Sequence, residues 1–340
     1  MYQRIRPILF RADPESIHGW TLTALQLAGA VPPVRWILQR MFCLPDPRLR
    51  TQAFGLPLEN PIGLAAGYDK EARGLWGLAC LGFGHLEVGT VTCLPQAGNP
   101  KPRVFRLPED EALINRMGFP NAGAEAMRRR LLMRRPPGVR IGVNIGKGKD
   151  TPLERAADDY LHLLRAFDGL ADYIAINVSS PNTLGLRRLQ ARDHLESLLK
   201  ALVAERARLG RSPAVPLLVK VAPDLMDAEM EDAVNAIVGA GAEGIIATNT
   251  TLAREGLRSP AREETGGLSG RPLRQRSLAC VQAIVRLTGG RLPVVAAGGI
   301  AGAEDARRAL DAGAVLVQVY TGLVYRGPAL VRDILTGLTG

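Results

Sequence analysis

Residues 173–183 read Tyr-Ile-Ala-Ile-Asn-Val-Ser-Ser-Pro-Asn-Thr. The first six carry no charge and are mostly β-branched, aromatic or small. Such a short apolar run fits a strand buried on both faces, as in a parallel sheet. The run then breaks into hydroxyls, an amide and a proline, so the strand stops there at the rim of its sheet.

The same rhythm recurs on both sides of this segment. Apolar runs fall at Ile62–Ala66, Leu86–Val91, Ile141–Ile145, Leu217–Val221, Gly244–Thr248, Val294–Ala297 and Val315–Tyr320. Helical patterns lie between them, for example Leu195–Leu209 and Ala303–Ala312. Eight β–α units close most economically as a (β/α)8 TIM barrel of the α/β class, here spanning residues 46–340. The gap between the second and third runs is the longest and holds Pro95, Pro100, Pro102, Pro108 and Pro120. It is expected to form an excursion over the barrel mouth.

Residues 1–45 read differently. Asp13-Pro14-Glu15-Ser16 has a capping residue, a proline at the first turn and an acid at the positive end of a helix dipole. That helix runs through Ile17, Trp20, Ala24, Leu25 and Ala28 and stops near Gly29. Pro32-Pro33 opens a second, with Val34, Ile37, Leu38 and Met41 on one face. This two-helix extension either lies in a membrane interface or packs on the main domain as a hairpin. Pro45-Asp46-Pro47 follows as a linker.

Composition narrows the class. Of 340 residues, 46% are hydrophobic and 22% charged, enough apolar material for a core and too much for disorder. A net charge of +10 points to anionic partners. Three tryptophans, six tyrosines and seven phenylalanines leave little for base stacking, which argues against nucleic acid. The four cysteines form no C-x-x-C pair, so neither a disulfide scaffold, a metal site nor an iron–sulfur cluster is expected. No stretch approaches the ~18 consecutive apolar residues of a membrane-crossing helix, and no signal-peptide core follows Arg4 and Arg6. The chain is expected on the cytoplasmic side.

Active sites of TIM barrels sit at the C-terminal strand ends. In chain order these ends carry Ala66-Gly67-Tyr68-Asp69-Lys70, Thr90, Asn144, Asn177 with Ser180 and Asn182, Lys220, Thr248-Asn249-Thr250, Gly298-Gly299 and Tyr320-Thr321. The set is rich in amides, with two lysines and neither histidine nor cysteine. Metal hydrolysis and histidine triads lack their parts. Converging asparagines suit a flat heterocycle bearing amide and carboxylate groups. Glycines at the seventh strand end and beside Thr321 let backbone N–H groups approach a phosphate.

The chain resembles the class 2, quinone-linked dihydroorotate dehydrogenases over essentially its whole length. The resemblance rests on Gly-Leu-Ala-Ala-Gly-Tyr-Asp-Lys (63–70), Glu-Val-Gly-Thr-Val-Thr (87–92), Asn-Arg-Met-Gly-Phe (115–119) and Asn-Val-Ser-Ser-Pro-Asn-Thr (177–183). Asn-Thr-Thr (249–251), Gly-Gly-Leu-Ser-Gly-Arg-Pro (266–272) and Gln-Val-Tyr-Thr-Gly (318–322) extend it.

The resemblance implies FMN as cofactor, dihydroorotate and orotate as substrate and product, and a membrane quinone as electron acceptor. It implies Ser180 as catalytic base, a position where class 1 relatives carry cysteine. It places Lys70, Asn115, Arg116, Met117, Gly118, Phe119, Asn177, Asn182, Asn249 and Thr250 at the substrate. It places Ala66, Gly67, Tyr68, Asp69, Lys70, Thr90, Asn144, Asn177, Lys220 and Thr248 at the flavin, with Gly270, Gly299, Tyr320 and Thr321 at the phosphate end. Tyr68 stands where many relatives carry a smaller apolar residue. The N-terminal hairpin becomes the quinone entrance on an anionic membrane surface, with His18 a candidate for its tunnel. No iron–sulfur or NAD-linked partner subunit is implied.

Overall fold

The computed structural model describes residues 2–133 and 135–340. Eight parallel strands close a barrel: β1 (Ile62–Leu64), β2 (His85–Val91), β3 (Arg140–Ile145), β4 (Tyr173–Asn177), β5 (Leu217–Val221), β6 (Gly244–Ala247), β7 (Val294–Ala297) and β8 (Ala314–Val319). Each pairs with its neighbours in sequence, and β8 returns to β1 through Val317 opposite Ile62 and Val319 opposite Leu64. All eight expected runs are strands, with ends shifted by a residue or two.

The strands are apolar on both faces because both are covered. Outward side chains such as Ile141, Ile174 and Ile245 meet a ring of helices that includes Ala156–Phe167, Arg192–Leu209 and Asp227–Ala240. Inward ones, Tyr173, Ala175, Leu218, Ile246, Val295 and Leu316, fill the barrel. A short hairpin, Thr51–Ala53 with Leu56–Leu58, plugs the floor with Ala53 and Leu58. The hairpin thereby covers the barrel below, and the C-terminal strand ends face a cavity above.

The proline-rich excursion is more ordered than the sequence suggests. Its strands Val104–Leu107 and Ala112–Asn115 pair antiparallel, and Gly267–Gly270, from the loop after β6, adds a third. Two loops far apart in sequence thus form one small sheet over the mouth.

The N-terminal region holds three helices rather than two: α1 (Tyr2–Leu9), α2 (Pro14–Ala30) and α3 (Pro32–Phe42). The caps of α2 behave as its sequence implies, with Asp13 Oδ1 accepting the Ser16 N–H at 2.8 Å. The helix α1 is hard to read from sequence because it is eight residues long and holds Pro7 in its interior, although Tyr2, Ile5 and Leu9 recur at helical spacing. It is tied down by the Tyr2 hydroxyl, which donates to the Val324 carbonyl at 2.6 Å. Where α2 crosses the short helix Leu75–Ala79, the backbones touch. A Cβ on Gly77 would lie 2.1 Å from the Leu25 carbonyl oxygen.

Candidate active site

A cleft of about 1,120 Å³, counting the open space at its mouth, lies above the barrel. Among its lining residues only Lys70 and Lys220 carry a charge. The pocket therefore favours anions.

Its floor is a buried polar knot inside the barrel. Glu87, fully buried on β2, accepts from Asn144 Nδ2 at 2.8 Å, Gln318 Nε2 at 2.8 Å and the Tyr173 hydroxyl at 3.2 Å. Lys220 Nζ on β5 lies 3.5 Å from the same carboxylate. A buried carboxylate is stable only with such donors and a counter-charge. The sequence reading gave no role to Glu87 or Gln318. Their signal was a polar side chain at an inward position of an apolar strand.

Amides build the next level. Thr90 Oγ1 donates to Asn144 Oδ1 at 2.5 Å, and Asn177 Nδ2 donates to Thr90 Oγ1 at 2.9 Å. Asn249 Nδ2 reaches Asn177 Oδ1 at 3.2 Å and Ser179 Oγ at 3.0 Å. Asn182 Nδ2 donates to Asn115 Oδ1 at 3.1 Å. Asn115 from the small sheet, Asn177 and Asn182 from the end of β4 and the loop after it, and Asn249 from the loop after β6 thus line one cavity with Thr248 and Thr250. Ser180 is nearly buried at the same wall, and its Oγ accepts the Asn182 N–H at 3.3 Å.

Lys70 Nζ donates to the Gly67 carbonyl at 2.5 Å. Burial lowers its pKa to about 8. Ala66, Gly67, Met117, Gly118, Phe119, Gly270, Gly299, Tyr320 and Thr321 also line the cavity.

Four expected site residues lie elsewhere. Asn144 sits just beneath the cavity and holds Thr90 and Glu87. Arg116 turns outward to Glu264 at 2.6 Å and covers the Phe105 ring. Asp69 is a loop clamp: its carboxylate accepts the N–H groups of Arg73 at 3.0 Å and Gly74 at 2.7 Å. Tyr68 belongs to a second cavity.

That second cavity, about 1,480 Å³ counting the open space at its mouth, runs between α1–α3 and the barrel and is mostly apolar. The rings of His18 and Tyr68 meet edge to face at 4.8 Å, and Tyr68 meets Tyr320 at 5.5 Å. Burial, with the nearby Lys70 charge, drives the His18 pKa down to about 3, so the imidazole is neutral. Val104, Leu113, Met117 and Tyr320 line both cavities, so the wall between them is one side chain thick.

A flavin mononucleotide fits the first cavity by its donor set. Gln318 Oε1 is buried without a partner and suits a ring N–H. Lys220 suits a ring edge that becomes anionic. At the far end Gly298 and Gly299, with φ of 122° and 75°, expose backbone beside Thr321, and no acidic side chain is among the described lining residues of this cavity.

Barrel, amide ring and paired cations define a TIM-barrel site for flat, anionic ligands with an apolar annex. A family model described as "Dihydroorotate dehydrogenase" matches residues 48–340. A Roseiflexus sp. (strain RS-1) protein named dihydroorotate dehydrogenase (quinone) is 52% identical over 99% of this chain and 93% of its own length. A Deinococcus radiodurans protein of the same name is 51% identical over 99% and 95%. A crystal structure of the Eimeria tenella DHODH with ferulenol superposes with a TM-score of 0.89, at 41% identity over 96% of this chain and 90% of that one. The chain belongs to the dihydroorotate dehydrogenase family, in its quinone-linked class 2 branch.

Proposed function

We propose that this protein oxidises (S)-dihydroorotate to orotate with a bound FMN and passes the two electrons to a membrane quinone, as a step of pyrimidine synthesis. The observation that carries it is the pair of cavities back to back: an amide-lined, cationic one on the barrel axis and an apolar one under the N-terminal helices. FMN held in the first cavity would supply the hydride acceptor, its N5 atom.

The chain's own residues do the rest. Lys70 meets the substrate carboxylate, and Asn115, Asn177, Asn182 and Asn249 hold its ring amides. Ser180 Oγ takes the proton from the carbon next to the carbonyl, while the neighbouring carbon gives up a hydride. A hydroxyl is a weak base, so the wall around Ser180 must lead that proton onward through water. Lys220 favours the reduced, anionic ring, held in place by Glu87. Gly270, Gly299, Tyr320 and Thr321 sit at the phosphate end.

Peripheral membrane binding on the cytoplasmic side rests on α2 and α3. Trp20, Leu27, Trp36, Ile37 and Met41 are exposed there, with Arg4, Arg11 and Arg40 exposed nearby. Basic residues at an anionic surface contribute ~1 kcal/mol each. Among the described residues no helix is long and apolar enough to cross a membrane.

The test is anaerobic. Protein purified in mild detergent is expected to be yellow, to bleach on adding dihydroorotate, and to recover colour with a short-chain quinone. A yellow protein that dihydroorotate leaves oxidised overturns the substrate. A bleached one that quinone leaves reduced overturns the acceptor.

A further inference from the structure

Glu15 lies in the first turn of α2, yet its carboxylate is turned inward and is only 18% exposed. Arg103, from the excursion over the barrel mouth, grips it with Nη2 at 2.7 Å and Nε at 3.1 Å. The guanidinium is 8% exposed, so this is a partly buried, forked ion pair, and the exposed Lys101 adds a second cation 3.5 Å from the same carboxylate. Its remaining nitrogen, Nη1, donates to the carbonyls of Ala97 at 2.6 Å and Asn99 at 2.8 Å.

Asn99 carries the connection to the substrate cavity. Its side-chain amide donates to the carbonyls of Arg116 at 2.9 Å and Asn182 at 3.3 Å. Its backbone N–H donates to Met117 at 2.9 Å, and the Arg116 N–H returns to the Arg103 carbonyl at 2.9 Å. The packing has no slack, because a Cβ on Gly118 would lie 2.8 Å from the Asn99 amide. A continuous hydrogen-bonded path thus runs from α2, through Arg103 and Asn99, to the wall that holds Asn115 and Asn182.

We infer that Glu15 is a positioning residue for the substrate site: through Arg103 and Asn99 the N-terminal hairpin sets the wall that grips the pyrimidine. This rests on the proposed dihydroorotate activity. The hairpin then serves the substrate as well as the quinone, and by linkage a substrate-filled wall holds the hairpin more firmly.

Orotate binding is read from its effect on the flavin spectrum of the intact protein. Glu15→Gln is expected to weaken orotate roughly 3- to 30-fold. KM for dihydroorotate is expected to rise by the same factor, with the rate of flavin reduction at saturation within about 2-fold of the parent. Arg103→Lys keeps the charge, loses the fork and is expected to show the same loss. Unchanged orotate affinity in Glu15→Gln, or a slower rate at constant KM, overturns the inference. In the unmodified protein, orotate is expected to slow amide exchange across residues 14–21 of α2 as well as 97–103. Unaltered exchange in 14–21 overturns the inference with no variant at all. If the unmodified protein neither responds to orotate nor is reduced by dihydroorotate, the proposed function itself fails. If it does both while the hairpin readouts stay flat, only the coupling fails.

Discussion

Lys70 is the side chain whose charge state changes nearest to neutrality in the substrate cavity. Its pKa is lowered to about 8, mainly by burial. Orotate, an anion, is expected to bind more weakly as pH rises past that value, by up to ~10-fold per unit. Calorimetric titration at pH 7 and pH 9.5 measures this, and Lys70→Met is expected to flatten the profile. The sign for stability is opposite. The unfolded lysine keeps its proton to ~10.4, so between the two values the unfolded chain binds more protons and this group's contribution to stability rises with pH. Glu87 gives the second residue-scale expectation. Glu87→Gln leaves the Lys220 ammonium buried beside a neutral amide, a loss of about 3 kcal/mol. Lys220→Met in the same chain is expected to restore much of it, so thermal unfolding of the two single variants and the double variant closes a cycle. Lys70, Lys220, Ser180, Asn177, Asn182 and Asn249 are legible as strand-end residues because strand ends follow directly from the apolar rhythm, whereas Asn115, in the excursion, is placed at the substrate only by the family resemblance. Glu87 and Gln318 are not legible, since an inward carboxylate acquires meaning only when barrel closure brings up a lysine 133 residues away. Asp69 and Arg116 stand inside correctly read motifs, but successive residues of a tight loop point in different directions.

The elements differ in how far sequence defines them. Barrel strands and α2 announce themselves through continuous apolar runs and a capping aspartate. The small sheet over the mouth does not, because its strands come from loops more than 150 residues apart and pair only once the barrel exists. The crossing of α2 on Leu75–Ala79 is equally a product of the fold. It depends on Gly77, where any side chain would meet the Leu25 carbonyl oxygen. Backbone cannot yield as a flexible side chain can, so Gly77→Ala is expected to cost about 1–3 kcal/mol and to loosen α2 selectively. Limited proteolysis should then cut within residues 10–45 faster than in the parent, while the barrel stays resistant. Equal cutting rates in the two proteins would show that the crossing does not hold the hairpin.

At the scale of the molecule, positive charge and exposed apolar surface meet at one end, on α1–α3. Binding to vesicles containing anionic lipid is expected, weakening as salt is raised toward 1 M, where the screening length shrinks to ~3 Å. Vesicles of neutral lipid should retain only the weaker apolar part. Co-sedimentation at two salt concentrations measures both, and salt-independent binding would count against the arginines.

Two chambers sharing a partition do not need a common doorway. Val104, Leu113, Met117 and Tyr320 separate them by a single layer of side chains, so under the proposed function the water-soluble reactant and the greasy one would occupy different chambers and not compete for space. A guest lodged on the greasy side and leaning on Met117 is nonetheless felt on the other side as pressure through a thin membrane of side chains. Compounds that block the annex are therefore expected to disturb the reaction next door without ever occupying the room in which it happens.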